Sequence, residues 1–377
     1  MLIDCDANAT YAPDEELRGV IAGCLELVGN PSSLHRAGQR ARAAIEQARV
    51  ELREFLSVSA QHSVVFTSGA SEANNLVVAS AAALTSGALV SSAIEHPCVL
   101  EPLSRLKAGG REVMLAKPNE EGEVSVQSIA ELVKPGCSLV SVMLANNETG
   151  AINDVRSIAA AARKIEPKVL IHADAAQVAG KLALSFDDLG VDFLTISGHK
   201  FGAPAGVGAL VARHGAPLQP LILGGPQEGK LRGGTENVFA ISAMGRVAAR
   251  VRAELPARIK RMREARDQFE ALVLEASPGA QVNAAKASRL PNTCSLFIPG
   301  VRAADLVVAM DLEGILVSTG AACSSGKPEP SHVLQAMGQA EERVRATVRL
   351  SFRADAKSDD AGLVAAALGR AVERARK

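Results

Sequence analysis

Residues 169–202 read VLIHADAAQVAGKLALSFDDLGVDFLTISGHKFG and contain two short apolar runs, each followed directly by polar groups. We predict strands at 169–173 and 193–196. Strands that alternate with helical stretches imply crossover connections and a mostly parallel sheet covered on both faces. Such sheets place their ligand sites beyond the carboxyl ends of the strands, where Asp174 and Lys200 stand.

The same alternation extends over most of the first 250 residues. Further strands are predicted at 63–66, 88–94, 137–144 and 207–211, and helices at 70–83 and 155–164. Beyond residue 250 we predict a charged helix over 256–275 with Pro256 in its first turn, where a missing N–H costs nothing. Short strands at 290–298, 315–318 and 348–352 and a closing helix at 359–376 follow. We therefore predict an α/β chain, with a large domain over 15–252 and a smaller α+β domain from 1–14 and 253–377.

Composition narrows the class of protein. Lys+Arg and Asp+Glu are both 41 in 377 residues, and this balance argues against direct nucleic-acid binding and against attachment to anionic membranes by charge. No run approaches the ~18 apolar residues of a membrane span. The first residues lack the basic and apolar segments of a signal peptide, so we expect a cytoplasmic protein. Six scattered cysteines without a CxxC pair are expected to be thiols.

Three segments whose residues could bind a ligand or react with one follow predicted strands. The turn 67–72 (TSGASE) starts a helix and could hold a phosphate, although an ordinary capped turn has the same composition. Asp174 could pair with a protonated ring nitrogen or simply cap the next helix. Lys200 could be a desolvated nucleophile or a solvated surface lysine. Their order along the chain, together with His96 and Gln177, favours the functional interpretation.

That order resembles the fold-type I pyridoxal-phosphate enzymes, and most closely the cysteine desulfurases of the NifS/IscS type among the class-V aminotransferases. The segments that carry the resemblance are NPSSLH (30–35), FTSGASEANN (66–75), EHP (95–97), NNETG (146–150), SGHK (197–200), RGGTEN (232–237) and STGAACSSG (318–326). The likeness runs from DANAT at 6–10 to RLSF at 349–352. It implies a large domain with a mostly parallel sheet of the seven-stranded type.

The resemblance also implies the cofactor pyridoxal 5′-phosphate and a role for each polar residue around it. Lys200 would form the Schiff base and later act as base and acid at the substrate Cα. Asp174 would keep the pyridine nitrogen protonated. Gln177 would bind the ring's phenolic oxygen, with Asn147 nearby, and His96 would stack on the ring and move protons.

By the same resemblance, the phosphate would be bound at one end of the site and the substrate at the other. The implied phosphate ligands are Ala70, Ser71, Ser197, His199 and, in a homodimer, Thr235 of the partner subunit. Arg349 would bind the α-carboxylate of L-cysteine with its planar pair of donors, and Asn147 would lie beside the substrate.

Cys323 decides which reaction the resemblance implies. It lies among small residues, GAACSSG at 320–326, which suit a loop that carries a thiol to a substrate and away again. The usual alternative for a free cysteine is burial in a core, which we predict for Cys24, Cys98, Cys137 and Cys294, with Cys5 undecided.

The family match implies that Cys323 takes sulfur from L-cysteine as a persulfide, leaving alanine. The sulfur would then pass to an iron–sulfur scaffold protein or to another acceptor. Cys323 would itself be a transient ligand of the metal in an iron–sulfur cluster. Three alternatives remain open at this point: a selenocysteine lyase, another class-V aminotransferase, and a catalytically silent binding subunit.

Overall fold

The computed structural model describes residues 2–320 and 330–376. The helices are α1 (Glu15–Ala22), α2 (Arg36–Phe55), α3 (Ala70–Leu84), α4 (Pro97–Ala108), α5 (Val126–Ala130), α6 (Val155–Ile165), α7 (Phe186–Leu189), α8 (Val238–Ala276), α9 (Ala303–Leu312), α10 (His332–Ala336), α11 (Glu341–Arg345) and α12 (Asp360–Ala375). The strands are β1 (Ile3–Asp4), β2 (Ser63–Thr67), β3 (Leu89–Ser92), β4 (Val113–Ala116), β5 (Leu139–Met143), β6 (Leu170–Asp174), β7 (Phe193–Ser197), β8 (Gly208–Ala212), β9 (Gln281–Val282), β10 (Thr293–Phe297), β11 (Ile315–Leu316) and β12 (Thr347–Ser351). No helix in these ranges is long and apolar enough to cross a bilayer.

The largest sheet has seven strands in the order β2-β8-β7-β6-β5-β3-β4, and only β8 runs against its neighbours. Every residue of β5, β6, β7 and β8 is buried, as expected when helices cover both faces of a sheet. The predicted mostly parallel α/β sheet is therefore confirmed.

A row of polar side chains crosses the middle of this sheet. His172 on β6 contacts Ser141 Oγ on β5 through Nδ1 at 2.8 Å, and Thr195 Oγ1 on β7 through Nε2 at 3.0 Å. Burial lowers the pKa of His172 to about 4, so the ring is neutral and both its nitrogens have partners. This row fixes β6 beside β7, two residues before Asp174.

A second core lies around two smaller sheets, β12-β10-β9 and β1-β11. Leu296 on β10 and Leu350 on β12 are fully buried there, and Leu306 of α9 and Leu368 of α12 pack into the same core. Because β10 and β12 are antiparallel, with Ser295 opposite Arg349, the register sets the direction of the arginine that sequence analysis assigned to the substrate.

The helix predicted to begin at Pro256 begins instead at Val238 and runs unbroken to Ala276, so that prediction is wrong. Proline removes one hydrogen bond from a helix interior, but packing on both sides outweighs that loss here. Met244 lies in the core of the large sheet, whereas Phe269 lies in the second core. The domain boundary predicted at 252/253 falls inside this shared helix and stays a prediction.

The first residues of the chain connect β12 to the turn that carries Lys200. Asp6 forms a parallel bridge with Ser351, whose backbone N–H donates to Cys5 O at 2.6 Å. Asn8 N donates to Ser351 Oγ at 2.9 Å, and Tyr11 N donates to the carbonyl of His199 at 2.8 Å. The segment therefore forms part of the wall around the carboxyl ends of β6 and β7.

Candidate active site

A cavity of about 330 Å³ opens at the carboxyl ends of β6 and β7. Asp174 and Thr195 are paired in register on these neighbouring strands, which brings Asp174 and Lys200 to one edge of the sheet. The cavity is lined by all the predicted cofactor-binding residues except Thr235, namely Ala70, Ser71, His96, Asn147, Asp174, Gln177, Ser197, His199 and Lys200. A larger cleft of about 590 Å³, beside Arg49, contains none of them.

Lys200 is held at the cavity by main-chain carbonyls. Its Nζ donates to Asn8 O at 2.8 Å and to Ala9 O at 2.9 Å. Burial, helped by the positive charge of Arg349, lowers the pKa of Lys200 to about 8, although Asp174 acts in the opposite direction. A substantial fraction of this amine is therefore neutral near physiological pH, as a nucleophilic lysine requires.

Asp174 is 5% exposed and receives hydrogen bonds from neutral groups. Asn74 Nδ2 donates to its Oδ2 at 2.6 Å, and the backbone N–H of Ala176 donates to its Oδ1 at 2.9 Å. Neither donor carries a charge, so the carboxylate is able to pair with a protonated ring nitrogen.

His96 caps α4 and faces the same cavity. Its Nδ1 accepts the backbone N–H of Cys98 at 3.2 Å and lies 3.0 Å from the Cys98 sulfur. Burial lowers the pKa of His96, which favours the neutral ring. Because Nδ1 is the acceptor, the ring proton of the neutral form lies on Nε2.

Cys24, Cys137 and Cys294 are buried as predicted, and so is Cys5, but the prediction for Cys98 is wrong. Cys98 is half-buried and lines the cavity, because it lies in the first turn of α4, two residues after His96. Burial and the charge of Asp174 raise its pKa to about 12, so it remains a thiol.

The start of α3 has the geometry that a bound anion requires. Gly69 caps the helix, and in the part of the chain that the structure describes no side chain caps its first N–H groups, which lie beside Ser71 and Ser197. The acidic group in that turn is neutralised: Glu72 accepts from Ser68 N at 2.8 Å and pairs with Arg232 at 3.1 Å. The serine cap that an ordinary turn of this composition would have is therefore not observed at α3 among the described residues.

Gly208 on β8 lies directly against this turn. A Cβ on Gly208 would lie 2.7 Å from the Cα of Gly69, so a side chain here would collide with the start of the anion site. His199 borders the same end of the cavity. Burial and the charge of Lys200 lower the pKa of His199 to about 4, which leaves it neutral.

Arg349 extends from β12 toward the loop that contains Asn147. Its Nη1 donates to Asn147 O at 3.0 Å, and its Nη2 pairs with Asp6 Oδ1 at 2.6 Å. The side chain is 5% exposed, and within the described residues its buried Nε has no hydrogen-bond partner. An unpaired donor on a buried guanidinium fits an incoming carboxylate.

Two of the described site residues, Thr235 and Arg349, are not among the residues that line this cavity. Thr235 lines an adjacent cleft that shares Ser68 and Gly206 with it. Cys323 lies outside the described residues. The flanks of its segment meet at Glu148: Ser331 Oγ donates to Glu148 Oε2 at 2.5 Å, and a Cβ on Gly320 would lie 3.3 Å from the same oxygen.

Sequence reasoning missed three buried polar residues around the cavity, Asn8, Asn74 and Lys181. Asn74 stands among apolar residues of α3, and Lys181 follows Gln177 by four residues. A polar residue within an apolar stretch can indicate a buried polar side chain. Only the fold shows which groups these three residues contact.

The residues at the cavity fit pyridoxal phosphate on chemical grounds. The open start of α3 can bind a phosphate, Asp174 can bind a protonated ring nitrogen, and Lys200 provides an amine for an aldehyde. Gln177 and His96 provide a hydrogen-bond donor and a flat ring beside them.

Comparisons with known proteins agree with this geometry. The family model of the class-V aminotransferases matches residues 6–364. The cysteine desulfurase IscS of Dictyoglomus turgidum is 36% identical over 354 residues, which cover 93% of this chain and 89% of that protein. A solved NifS-like protein has a TM-score of 0.90 at 32% identity, with 99% of each chain covered. The structure of SspA in complex with cysteine has a TM-score of 0.80 at 29% identity, covering 94% of this chain and 99% of the other.

Proposed function

The chain belongs to the class-V aminotransferase family, and on that premise we propose that it is a pyridoxal-phosphate-dependent cysteine desulfurase. The substrate is L-cysteine and the carbon product is L-alanine. The observation that carries the proposal is the meeting of Lys200, Asp174, Gln177 and His96 in one cavity, with Arg349 beside it. Relatives similar over nearly the whole chain carry the same activity in their names.

The chain's own groups divide the work of binding and proton transfer. Lys200 would hold the cofactor through its neutral amine, which condenses with the aldehyde and releases one water, and the same amine would later accept and return the proton at the substrate Cα. Asp174 would hold the proton on the ring nitrogen, and a cofactor bound in this way would supply an electron sink for negative charge at the substrate Cα. His96 is neutral, with its ring proton on Nε2, and would stack on the cofactor ring and exchange a proton there.

Arg349 binds the α-carboxylate of L-cysteine. Its guanidinium is already oriented by Asp6 and by the carbonyl of Asn147, so little conformational freedom is lost when the substrate arrives. Asn147 lines the cavity beside this arginine. The substrate is therefore held at one end by Arg349 and at the reacting carbon by Lys200.

Cys323 receives the sulfur. Its thiolate attacks the sulfur of the bound cysteine, an S–S bond forms as the C–S bond breaks, and the carbon takes up a proton to become the methyl group of alanine. The atoms balance without an external oxidant, since one thiol and one cysteine give one persulfide and one alanine. An iron–sulfur scaffold protein or another sulfur acceptor then removes the terminal sulfur.

The active form is a homodimer in the cytoplasm, in which Thr235 of the partner subunit completes the phosphate site. Thr235 lies outside the cavity of its own chain, which supports a role in a neighbouring one. Leu223, 81% exposed, and Leu34, 90% exposed, provide apolar surface for such a contact.

The test is to incubate the purified yellow protein with L-cysteine and a thiol reductant and to assay alanine and sulfide together. Equal amounts of both products are expected. A keto acid in place of alanine would mean an aminotransferase, and no product at all would mean a silent subunit. Comparison with selenocysteine under the same conditions measures the preference between sulfur and selenium.

A further inference from the structure

Lys181 is a deeply buried lysine beside the cavity. It is 2% exposed, whereas lysines are almost always solvated. Its Nζ donates to Gln177 Oε1 at 2.6 Å and to Asn8 Oδ1 at 2.8 Å, and both acceptors are neutral amides. Burial and the charges of Lys200 and Arg349 lower the pKa of Lys181. A methionine would fill this space at less cost, so the donor function of the side chain needs an explanation.

The contact of Lys181 determines which way the Gln177 carboxamide points. With Oε1 bound to Lys181, the nitrogen of the amide lies on the other side, where it donates to Asn8 O at 3.0 Å. A carboxamide nitrogen carries two N–H donors, and only one of them is used by Asn8. Because Gln177 lines the cavity, the second N–H is available to a ligand there.

Asn8 links Lys181 to Lys200. Its side-chain oxygen accepts from Lys181 and from Asn292 Nδ2 at 3.0 Å, and its main-chain oxygen accepts from Lys200 at 2.8 Å. Lys181 therefore fixes both the amide that faces the cavity and the residue that holds the amine.

We propose that Lys181 is a positioning residue that fixes the Gln177 carboxamide, so that an N–H rather than an oxygen faces the phenolic oxygen of bound pyridoxal phosphate. Without Lys181 the amide loses one of its two orienting contacts and keeps the one from Nε2 to Asn8 O. Rotation of the amide then costs less, and the rotated amide would turn its oxygen toward the negative oxygen of the ring. The inference rests on the cofactor of the proposed function but not on the fate of cysteine.

The experiment follows the visible absorbance of the bound cofactor as a function of pH, with no substrate present. The pH midpoint of that absorbance reports the proton shared between the phenolic oxygen and the nitrogen of Lys200. A donor to the phenolic oxygen stabilises the deprotonated form, so Lys181→Met should raise the midpoint by about one unit. Lys164→Met, the same change at an exposed lysine, is the matched control and should leave the midpoint unchanged.

A double-mutant cycle separates positioning from a simple loss of charge. Gln177→Ala should raise the midpoint as Lys181→Met does, and Lys181→Met should add almost nothing in the Gln177→Ala background. Additive shifts would overturn the proposal, because Lys181 would then act independently of Gln177. An unchanged midpoint in a folded Lys181→Met protein would also overturn it.

A more conservative variant and the absorbance of the wild type complete the test. Lys181→Gln keeps an N–H donor one bond shorter, so it should give a smaller shift, and it replaces Lys181→Met in the same cycle if that protein does not fold. A wild-type protein without visible absorbance would overturn the inference, because pyridoxal phosphate would then not be bound as the inference requires. Loss of desulfuration with the absorbance intact would instead count against the proposed reaction and leave this result standing.

Discussion

Lys200 should lose its proton near pH 8 in the cofactor-free protein, far below the value of an exposed lysine. Burial is the main cause, and the charge of Arg349 adds to it. At pH 7 an amine with a pKa of about 8 is roughly 9% neutral, whereas one with a pKa near 10.5 is about 0.03% neutral. The cavity therefore raises the reactive fraction of this amine by about 300-fold at neutral pH.

The assay is the rate at which the cofactor-free protein gains visible absorbance after mixing with pyridoxal phosphate, measured from pH ~6 to ~10. The rate should rise with pH and reach half its maximum near pH 8. Arg349→Met removes one positive charge and should move the midpoint to higher pH. Arg349→Lys keeps the charge and should leave the midpoint near that of the wild type.

A wild-type midpoint near 10 would refute the reasoning, since Lys200 would then be as well solvated as a surface lysine. Equal midpoints for Arg349→Met and Arg349→Lys would refute only the effect of the Arg349 charge on the pKa of Lys200, and burial would remain as the cause. Thermal unfolding of each cofactor-free variant shows whether the comparison is made between folded proteins.

Cys323→Ser should bind the cofactor and L-cysteine but release no sulfide, and mass spectrometry of the wild type during turnover should find one extra sulfur on the Cys323 peptide. Asn74→Leu removes the donor to Asp174 from a fully buried position and should destabilise the cofactor-free protein by about 1–3 kcal/mol in denaturant titrations. Burial raises the pKa of Glu95 to about 8, so wild-type stability should fall as pH rises from about 4.5 to about 8. Glu95→Gln should flatten that profile, and a flat wild-type profile would contradict the assignment. Light scattering should find a dimer, and a fully active monomer would rule out the assigned role of Thr235.

The sheet was predictable because its strands are continuous apolar runs, and the ends of neighbouring parallel strands must meet. From the sequence, that rule places Asp174 near Lys200. It could not place Pro256 correctly. The local rule for a proline at a helix start ignores the two cores that hold α8 together on either side of residue 256.

The contacts around the cavity could not be predicted from the sequence, for a different reason. Cys98 was expected in a core because most free cysteines are buried, but its environment depends on the direction in which α4 leaves His96. Lys181 and Asn8 are 173 residues apart, so nothing local indicates their hydrogen bond. The side chains that react were recognisable by type and order, whereas the side chains that orient them were recognisable only by their neighbours in space.

The bridge between Asp6 and Ser351 has a consequence for the protein as it is being made. Asn8, which holds Lys200, is itself tied to Ser351 across 343 positions of the chain. On the ribosome the wall around Lys200 therefore stays incomplete until β12 has emerged, even though the seven-stranded sheet ends more than 130 residues earlier. Such distant contacts form late, since their loop-closure cost comes before any gain. A nascent chain should therefore acquire its colour only after β12 has emerged from the ribosome, so capture of the cofactor would report that the two distant parts of the wall have met.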